Sequence, residues 1–338
     1  MSSSSIPSTM KAIVIDEQGG PEVMQLKEIP VPKPGKGEVL INVEYSGVNF
    51  IDTYKRGGVY KVETPYVMGH EPAGKIVAVG DGVSDYKVGD KVAAYLSGGG
   101  LANYVVAPEK ALAKLPDSVS TRDGAASLLQ GLTVLTMIRE ACEAKKGQYI
   151  LVHAAAGGVG LLLCQMLSHF GVHVIGTTST QEKADLAKAN GAEQVILYSK
   201  DTLDEVVPKI KALTPNGEGV HAVLDGVGKD TWESDFEVIR RKGIIVTFGN
   251  ASGPVPPFAP LKLAAKNLKV CRPTLNNYVA TKEEMQSYSK ELYELLASGA
   301  FKIQIWKEGY PFTAEGMRQA QDDLVNRRTT GKLIINMS

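Results

Sequence analysis

The stretch that most constrains the fold runs over residues 148–183 and reads as strand, glycine-rich turn, helix and strand. Residues 149–153 form a short apolar run, which is typical of a strand buried on both faces. A helical segment follows over 161–167, and Gly171 marks its end. A second apolar run over 172–176 completes a βαβ unit. The sequence therefore predicts a parallel sheet with a helix across it.

The turn inside this unit carries a phosphate-binding pattern. Ala155, Gly157 and Gly160 occupy the three small-residue positions of G-x-G-x-x-G, and Gly158 is an additional glycine. Small residues let backbone N–H groups approach a pyrophosphate, and the helix N-terminus supplies partial positive charge. The alternative is a structural turn without a ligand. The position of the motif between a buried strand and a helix favours a dinucleotide site.

The end of the second strand indicates which dinucleotide is bound. Folds specific for NAD place an acidic residue about 20 residues beyond the first glycine. Here that window, residues 175–179, reads Ile-Gly-Thr-Thr-Ser and contains no carboxylate. Thr178, Ser179 and Thr180 offer hydroxyls and Lys183 offers a cation, which suits a 2′-phosphate. Lys183 could instead be a solvated residue of the next helix. The missing acid predicts NADPH as the cofactor.

The composition excludes several classes of protein. The 338 residues include 37 Lys and Arg and 37 Asp and Glu, so no net charge draws the chain to nucleic acid or to a membrane surface. No apolar run reaches the roughly 18 residues of a membrane span. The three cysteines, Cys142, Cys164 and Cys271, are widely spaced, which favours a reducing, cytoplasmic location over a disulfide framework or a structural zinc site.

The rest of the chain predicts two kinds of domain. Short strands separated by Gly and Pro fill the first 110 or so residues and are typical of a barrel-like all-β domain. Strands and helices alternate from 148 to about 271, which predicts a doubly wound domain. Two of its strands, 222–226 and 244–250, end in glycine-bearing loops, where ligands bind. The residues expected to face a cofactor there are Asp225, Phe248, Gly249 and Asn250.

The predicted fold class is α/β, with three segments. Residues 10–129 form a β-barrel domain that would carry the substrate site, and 130–271 form a parallel Rossmann domain. Residues 272–338 contain a helix at 282–298 and a strand at 331–336. A lone last strand would be an unpaired edge, so this segment is expected to return to the first domain.

This order of domains resembles the medium-chain dehydrogenase/reductase superfamily, whose β domain is GroES-like. The match covers the chain from Met10 onwards. Several motifs are similar in combination to the zeta-crystallin type of NADPH:quinone oxidoreductase. They are Asn49 to Tyr54, Gly69-His70-Glu71, Gln130 to Thr133, His153 to Gly160, Asp225 to Gly228, Phe248 to Asn250, and Arg327 to Gly331.

The chain departs from zinc alcohol dehydrogenases at the metal ligands. Those enzymes carry Cys where this chain has Asn49, His at His70, and a third ligand near Gln130. An amide is a poor zinc ligand, so no metal site is expected, and His70 with Glu71 is interpreted as a packing and hydrogen-bonding pair. Without a Lewis acid, alcohol oxidation is disfavoured and reduction of an electron-poor acceptor is favoured.

The resemblance implies roles for individual residues. Asn49 and Tyr54 would line the catalytic cleft, with Tyr60 closing over it and Gln130 beside the reacting ring. The expected cofactor contacts, by resemblance and from the residues, are Asn49, Gln130, Thr133, Ala156, Gly157, Gly158, Val159, Thr178, Ser179, Lys183, Tyr198, Asp225, Phe248, Gly249, Asn250 and Arg327.

The implied activity is NADPH-dependent reduction of ortho-quinones or naphthoquinone-like acceptors without zinc. Two alternatives stay open, because the same scaffold serves alkenal and enone double-bond reductases, and zeta-crystallins are associated with AU-rich RNA. The only marked basic cluster, Arg240-Arg241-Lys242, gives RNA binding little support. A homodimer is expected, paired through an edge strand at 244–248 or 268–271.

Overall fold

The structure is a computed structural model, and it describes residues 6–199 and 203–337. Within these ranges the chain forms two compact units. Unit 1 comprises Met1–Leu129, Val279–Ala297 and Ile303–Ser338, and unit 2 comprises Gln130–Tyr278 and Ser298–Lys302. Unit 1 is therefore assembled from separated segments, whereas unit 2 is almost continuous in sequence.

The first segment of unit 1 is built mainly from short strands. Apolar residues alternate or cluster in each strand, and Gly and Pro separate them, as the sequence predicts. The elements are β1 Thr9–Ile15, β2 Gln25–Pro30, β3 Glu38–Val48, α1 Phe50–Arg56, β4 Tyr66–Val67, β5 Glu71–Val79, β6 Lys91–Ala94, β7 Tyr104–Pro108, β8 Leu112–Lys114 and the first half of α2 Thr121–Thr136. From Gln130 onwards α2 belongs to unit 2, where it continues as a π-helical turn over Met137–Ala141.

Unit 2 alternates strands and helices. Its strands form one parallel sheet in the order β11-β10-β9-β12-β13-β14, so the predicted doubly wound Rossmann fold is confirmed. The order reverses beside β9, which places the switch point at the glycine-rich turn. The elements are β9 Tyr149–Val152, α3 Gly158–His169, β10 His173–Thr178, α4 Gln181–Ala189, β11 Gln194–Leu197, α5 Leu203–Ala212, β12 Val220–Asp225, α6 Trp232–Val238, β13 Ile239–Thr247, β14 Lys269–Cys271 and α7 Leu275–Tyr278.

Strand β13 differs from the sequence prediction. It begins at Ile239 rather than at Ile244 and ends at Thr247. Val220 pairs with Ile239, and the register then shifts before Ala222 pairs with Ile244. The charged, outward-facing residues of this irregularity hide the strand from an apolar pattern. Because β13 lies between β12 and β14, it is not an edge, and the predicted edge at 244–248 is wrong.

Most of the last segment belongs to unit 1, namely Val279–Ala297 and Ile303–Ser338, whereas residues up to Tyr278 and Ser298–Lys302 belong to unit 2. Its elements are α8 Lys282–Ala297, β15 Tyr310–Pro311, α9 Ala314–Val325 and β16 Leu333–Asn336. Strand β16 pairs antiparallel with β3, and Leu333 lies opposite Val48. This register brings Lys332 to the end of β3 that leads into Asn49. The sheet then runs β15-β16-β3-β5-β6-β8 with β7 on β3, and β2-β1-β4 forms a second sheet.

Each unit has its own hydrophobic core. In unit 1 the core joins β1, β3 and β5 to β16 and α9, through residues such as Ile13, Ile41 and Leu333. In unit 2 it gathers around Trp232, whose ring packs 4.8 Å from that of Phe236, centroid to centroid. No helix over 6–199 and 203–337 is long and apolar enough to cross a bilayer.

Candidate active site

The glycine-rich turn of unit 2 leaves backbone donors available. Helix α3 begins at Gly158, and its N-cap, Gly157, is an extended residue with no capping side-chain hydrogen bond among the described residues. The first N–H groups of a helix lack partners within the helix, and the glycine at the N-cap has no side chain to satisfy them. Such a helix start, at the switch point of a parallel sheet, is suited to a phosphate.

The small residues of the turn have distinct physical roles. A Cβ on Gly160 would lie 2.3 Å from the carbonyl oxygen of Ala154, so Gly160 is required by packing of helix against turn. A Cβ on Gly176 would lie 2.8 Å from the Cβ of Ala155. This close approach explains why the first motif position, Ala155, is a small residue. A Cβ on Gly157 would approach only Ala154 O, at 3.2 Å. The space beside Gly157 is therefore open to a ligand, and the turn fits a dinucleotide phosphate.

Gln130 is placed beside this turn. A Cβ on Gly158 would lie 2.5 Å from Gln130 Nε2, so the Gln130 amide packs against the glycine backbone. Thr133 follows one helical turn later on α2 and is half-buried. Residues three apart lie on the same helix face. The structure thus brings Gln130, Gly158 and the neighbouring Ala156 and Val159 into one region of unit 2.

The carboxyl end of β10 gathers the residues predicted to meet a 2′-phosphate. Thr178 is buried, and its hydroxyl donates to Thr180 O at 3.3 Å. Thr180 caps α4, accepting from the backbone N–H of Lys183 at 3.3 Å, while Ser179 is exposed. The N–H of Tyr198 donates to Thr178 O at 2.9 Å. These hydroxyls and the half-buried Lys183 lie where the strand ends, with no carboxylate in the strand terminus.

The carboxylate of Asp225 accepts hydrogen bonds within the loop after β12 and is shielded from solvent. Its buried carboxylate accepts from the N–H groups of Val227 at 2.7 Å and Gly228 at 3.1 Å. It also accepts from the Thr231 hydroxyl at 3.0 Å. The carboxylate is thereby occupied within the loop. Its contribution to a ligand site is to fix the conformation of the loop.

A residue that the sequence analysis missed holds the loop after β13. Arg272 donates to Thr247 O at 2.9 Å and to Gly249 O at 3.1 Å. With its amide suitably oriented, Asn250 accepts from the same guanidinium at 3.2 Å. Phe248 donates its N–H to Asp225 O at 2.8 Å, which joins the two loops. Arg272 therefore positions Phe248 to Asn250, and nothing in the local sequence pattern indicates this role.

A buried His–Asp pair lies beneath the glycine-rich turn. His153 Nε2 lies 2.9 Å from Asp235 Oδ1, and His153 Nδ1 lies 2.8 Å from Thr177 Oγ1. Burial raises the pKa of Asp235 to about 7, the nearby charge of Asp225 adding to it against the pull of His153. Burial alone would lower the pKa of His153, but the carboxylate of Asp235 raises it. The pair therefore holds its protons to higher pH than either group in water.

In unit 1 the residues around Asn49 form a buried polar network. Asn49 precedes α1, and its N–H donates to Asp52 Oδ2 at 2.8 Å. The other oxygen of Asp52 lies 2.6 Å from His70 Nδ1. His70 Nε2 lies 3.4 Å from the hydroxyl of Tyr66. His70 is thus part of a hydrogen-bonded chain, but its partners there are Asp52 and Tyr66 rather than the predicted Glu71.

The amide of Asn49 is bound on both sides. Its Oδ1 accepts from Lys332 Nζ at 2.7 Å, and its Nδ2 donates to Glu71 Oε2 at 2.9 Å. Lys332 Nζ lies 2.5 Å from the same Glu71 oxygen, and the other Glu71 oxygen accepts from Leu129 N–H at 2.7 Å. The exposed fractions are 5% for Asn49, 0% for Glu71 and 1% for Lys332. The sequence analysis did not find Lys332.

The two predicted tyrosines of unit 1 pack together. The rings of Tyr54 and Tyr60 meet edge to face, with centroids 5.8 Å apart. Tyr60 is 42% exposed and follows the loop of Gly57 and Gly58. Gln18 Nε2 donates to Tyr60 O at 2.9 Å and so anchors the loop. Tyr54 lies on α1 and Tyr60 lies beyond its C-terminal end.

Arg327 belongs to unit 1, whereas Lys183 belongs to unit 2. Arg327 lies just beyond α9 in a left-handed conformation, with φ at 57°, and it is exposed. Its N–H donates to Leu324 O at 3.2 Å.

Over residues 6–199 and 203–337, no cluster of three or more His, Cys, Asp or Glu side chains could hold a metal ion.

Comparison with known proteins identifies the family. The family model "Alcohol dehydrogenase GroES-like domain" matches residues 35–117, and "Zinc-binding dehydrogenase" matches residues 158–294. A probable quinone oxidoreductase of Schizosaccharomyces pombe is 40% identical over 325 residues, 96% of either chain. A 2-haloacrylate reductase of Burkholderia is 33% identical over 333 residues, covering 96% of this chain and 98% of the relative.

A solved structure agrees with these sequence relatives. The Escherichia coli quinone oxidoreductase complexed with NADPH superposes with a TM-score of 0.92 at 37% identity. The match covers 97% of this chain and 100% of that one. Fold, domain order and near-complete sequence coverage agree. The chain belongs to the quinone oxidoreductase family of the medium-chain dehydrogenase/reductase superfamily.

Proposed function

We propose that this protein reduces quinones with NADPH. NADPH would supply two electrons and one proton to the acceptor, and a second proton from water would complete the hydroquinone. The observation that carries the cofactor assignment is the end of β10, where Thr178, Ser179 and Lys183 stand without a carboxylate. The names and the NADPH complex of its relatives support the same reading.

In this proposal unit 2 binds the cofactor. The open side of Gly157 and the N–H groups at the start of α3 would hold the pyrophosphate, and Gln130 and Thr133 would contact the nicotinamide side. Arg272 would hold the backbone of the Phe248 to Asn250 loop in the conformation that contacts the cofactor. Unit 1 would supply the acceptor-binding groups, with Asn49, Tyr54 and Tyr60 orienting the acceptor oxygens.

We also propose that the reaction needs no zinc. The side chains at the positions that would bind a metal are engaged with other groups. Asn49 is an amide held by an ammonium, and a second cation beside Lys332 Nζ would be repelled. His70 already holds Asp52 through Nδ1. Activity after chelator treatment and dialysis should equal that of the untreated protein, and stoichiometric zinc by elemental analysis would contradict the proposal.

A second candidate activity is reduction of an activated carbon–carbon double bond. The 2-haloacrylate reductase among the relatives favours it, because that protein is 33% identical over nearly its whole length. The two reactions share the cofactor and differ in the acceptor.

The test is an initial-rate panel with the purified protein. NADPH and NADH are each paired with a naphthoquinone, an ortho-quinone, a 2-alkenal and 2-chloroacrylate. We expect NADPH with a quinone to give the highest kcat/KM. Higher kcat/KM with the alkenal or the haloacrylate would replace quinone reduction with double-bond reduction, and no oxidation of either cofactor would reject both.

The assembly and the location are also proposals. We infer a homodimer paired through β14, which together with β11 ends the strand order of the unit 2 sheet. We infer a reducing, cytoplasmic setting from the three widely spaced cysteines, of which Cys164 is buried.

A further inference from the structure

Lys332 is an unusual residue in unit 1 because its charged side chain is 1% exposed. The backbone that carries this side chain is conformationally constrained. Gly331 has φ at +75°, and a Cβ there would lie 2.3 Å from Gln304 O. Lys332 N–H then donates to Gln304 O at 2.7 Å, and Lys332 O accepts from Trp306 N–H at 2.8 Å. The backbone on both sides of the ammonium is therefore fixed.

Stability alone gives a poor reason for this arrangement. Removing an ammonium and a carboxylate from water is costly, and a well-packed apolar pair often stabilises the fold equally well. Glu71 and Lys332 are both fully buried and meet at 2.5 Å. A role for the pair in directing a neighbouring group is therefore worth seeking, and that neighbour is Asn49.

The ammonium determines the orientation of the Asn49 amide. Lys332 Nζ donates only, so it selects Oδ1 of Asn49 at 2.7 Å and turns Nδ2 toward Glu71 at 2.9 Å. The remaining acceptor near Nδ2 is Gly47 O, at 3.4 Å. One N–H of the amide thus makes a short hydrogen bond to Glu71, and the other makes a long, weak one to Gly47 O. The weak bond is the one that a ligand oxygen could replace.

The ammonium also changes the strength of that donor. A cation bound to an amide oxygen draws electron density from nitrogen, and hydrogen bonds in a chain strengthen one another in a low-dielectric site. Reducing a quinone places negative charge on its oxygen. An N–H donor polarised in advance stabilises that charge without reorganisation.

We propose that Lys332 is a positioning residue that orients and polarises the Asn49 amide, so that its weakly held N–H stabilises the acceptor oxygen as it becomes negative. Lys332 keeps its proton throughout, and water supplies the proton that the reduced acceptor takes up. The inference rests on the proposed quinone reductase activity and concerns how Lys332 orients the Asn49 amide in that reaction.

The test is a double-mutant cycle. The pair Lys332→Met with Glu71→Gln removes both charges together, so that no lone buried charge remains. It is made in the native background and in Asn49→Ala. The control is Lys75→Met, which removes an exposed lysine of β5 that pairs with Glu44 at 3.1 Å. Each protein is assayed with NADPH and a naphthoquinone, and its thermal unfolding is recorded.

We expect the paired substitution to lower kcat about tenfold, a smaller loss than the roughly hundredfold for removing an oxyanion donor. The KM for NADPH should stay within about twofold, since the lost contact is to the acceptor. In Asn49→Ala the same pair should cause no further loss, because the device acts through Asn49. Equal losses in both backgrounds, or no loss in either, would overturn the proposal.

A spectroscopic readout does not depend on activity. In protein with isotope-labelled asparagine, the side-chain amide signals of Asn49 are assigned by their absence in Asn49→Ala. Lys332→Met should change the chemical shifts of these signals, whereas Lys75→Met should not. Unshifted signals would refute the contact whatever the kinetics. If the native protein reduced no quinone, the proposed function would fail, while this measurement would still test the hold of Lys332 on the amide.

A further variant covers the case in which the paired substitution does not fold. Asn49→Asp keeps an acceptor for Lys332 but removes both amide donors. We expect a folded protein with a loss in kcat similar to that of Asn49→Ala. Activity close to that of the native protein would show that no donor at this position is needed.

Discussion

Lys183 is oriented by the residue that starts its helix. Thr180 caps α4 by accepting from the Lys183 N–H, which places this lysine in the first turn beside Thr178 and Ser179. A helix start already favours an anion, and the lysine adds a full charge. A 2′-phosphate there would gain charge-assisted bonds that a 2′-hydroxyl cannot make.

We therefore expect Lys183→Ala to lower kcat/KM for NADPH by at least about tenfold, since one such bond contributes about 1.5 to 3 kcal/mol. The rate with NADH should change little, and kcat at saturating NADPH should be nearly intact, because the contact is remote from the reacting ring. Lys188→Ala, an exposed lysine at the other end of α4, is the control. Equal losses with both cofactors, or native use of NADH as well as NADPH, would contradict this 2′-phosphate site.

The pair of His153 and Asp235 should make the stability of unit 2 depend on pH. Burial raises the pKa of Asp235 to about 7 in the folded protein, above its value in the unfolded chain. A group with a raised folded-state pKa stabilises the fold below its unfolded pKa, and this contribution is lost as pH rises through the folded value. The raised pKa of His153 acts in the same direction, at higher pH.

We expect the free energy of unfolding to fall between about pH 4 and pH 7, by at most about 1.4 kcal/mol per pH unit for each proton involved. Asp235→Asn should flatten this slope, because its amide does not titrate. Urea unfolding followed by the fluorescence of Trp232, in a Trp306→Phe background, measures the effect in unit 2. Parallel pH curves for the two proteins would show that the pair does not control it.

At the scale of elements, β14 leaves one side of the unit 2 sheet unpaired within the described residues. It has three residues, Lys269–Cys271, and it pairs with β13 on one side only. Exposed strand edges in native proteins are often paired with another chain. An antiparallel pairing about a two-fold axis through Val270 would place the two copies of this residue opposite each other.

Light scattering should therefore give the mass of a dimer at micromolar concentration. Val270→Lys should shift the protein toward monomer, because like charges directly opposite each other destabilise a strand pair. Leu197→Lys, on the strand at the opposite edge of the sheet, is the matched control and should stay dimeric. Dissociation by the control alone would move the interface to β11, and a native monomer would reject the dimer.

At the scale of the whole molecule, the sequence predicts what local periodicity encodes. The βαβ unit, the all-β first domain and the return of residues 331–336 all follow from patterns within about ten residues. The polar partnerships do not. Glu71 and Lys332 are 261 positions apart, and His153 and Asp235 are 82 apart. Such pairs leave no period in the sequence, because only the folded chain brings their atoms together.

Strand β13 shows the same limit within one element. Its first residues include Arg240, Arg241 and Lys242, whose charges resemble a solvated loop or a basic patch. The structure instead uses Lys242 in a left-handed conformation, with φ at 63°, where the register of the strand shifts. Backbone irregularities of this kind depend on the neighbouring strand, β12, and the sequence of β13 alone does not specify them.

The distance in sequence between Glu71 and Lys332 also has a consequence for biosynthesis. Ribosomes add about 5 to 20 residues per second, so the lysine would follow the glutamate by roughly 13 to 52 seconds. During that interval all of Gln130–Tyr278 leaves the ribosome, while β3 still lacks its partner β16. Unit 2 can therefore fold first although it is encoded second. Until Lys332 arrives, burial of Glu71 would leave a carboxylate without its cation, which disfavours early closure of unit 1 in the nascent chain.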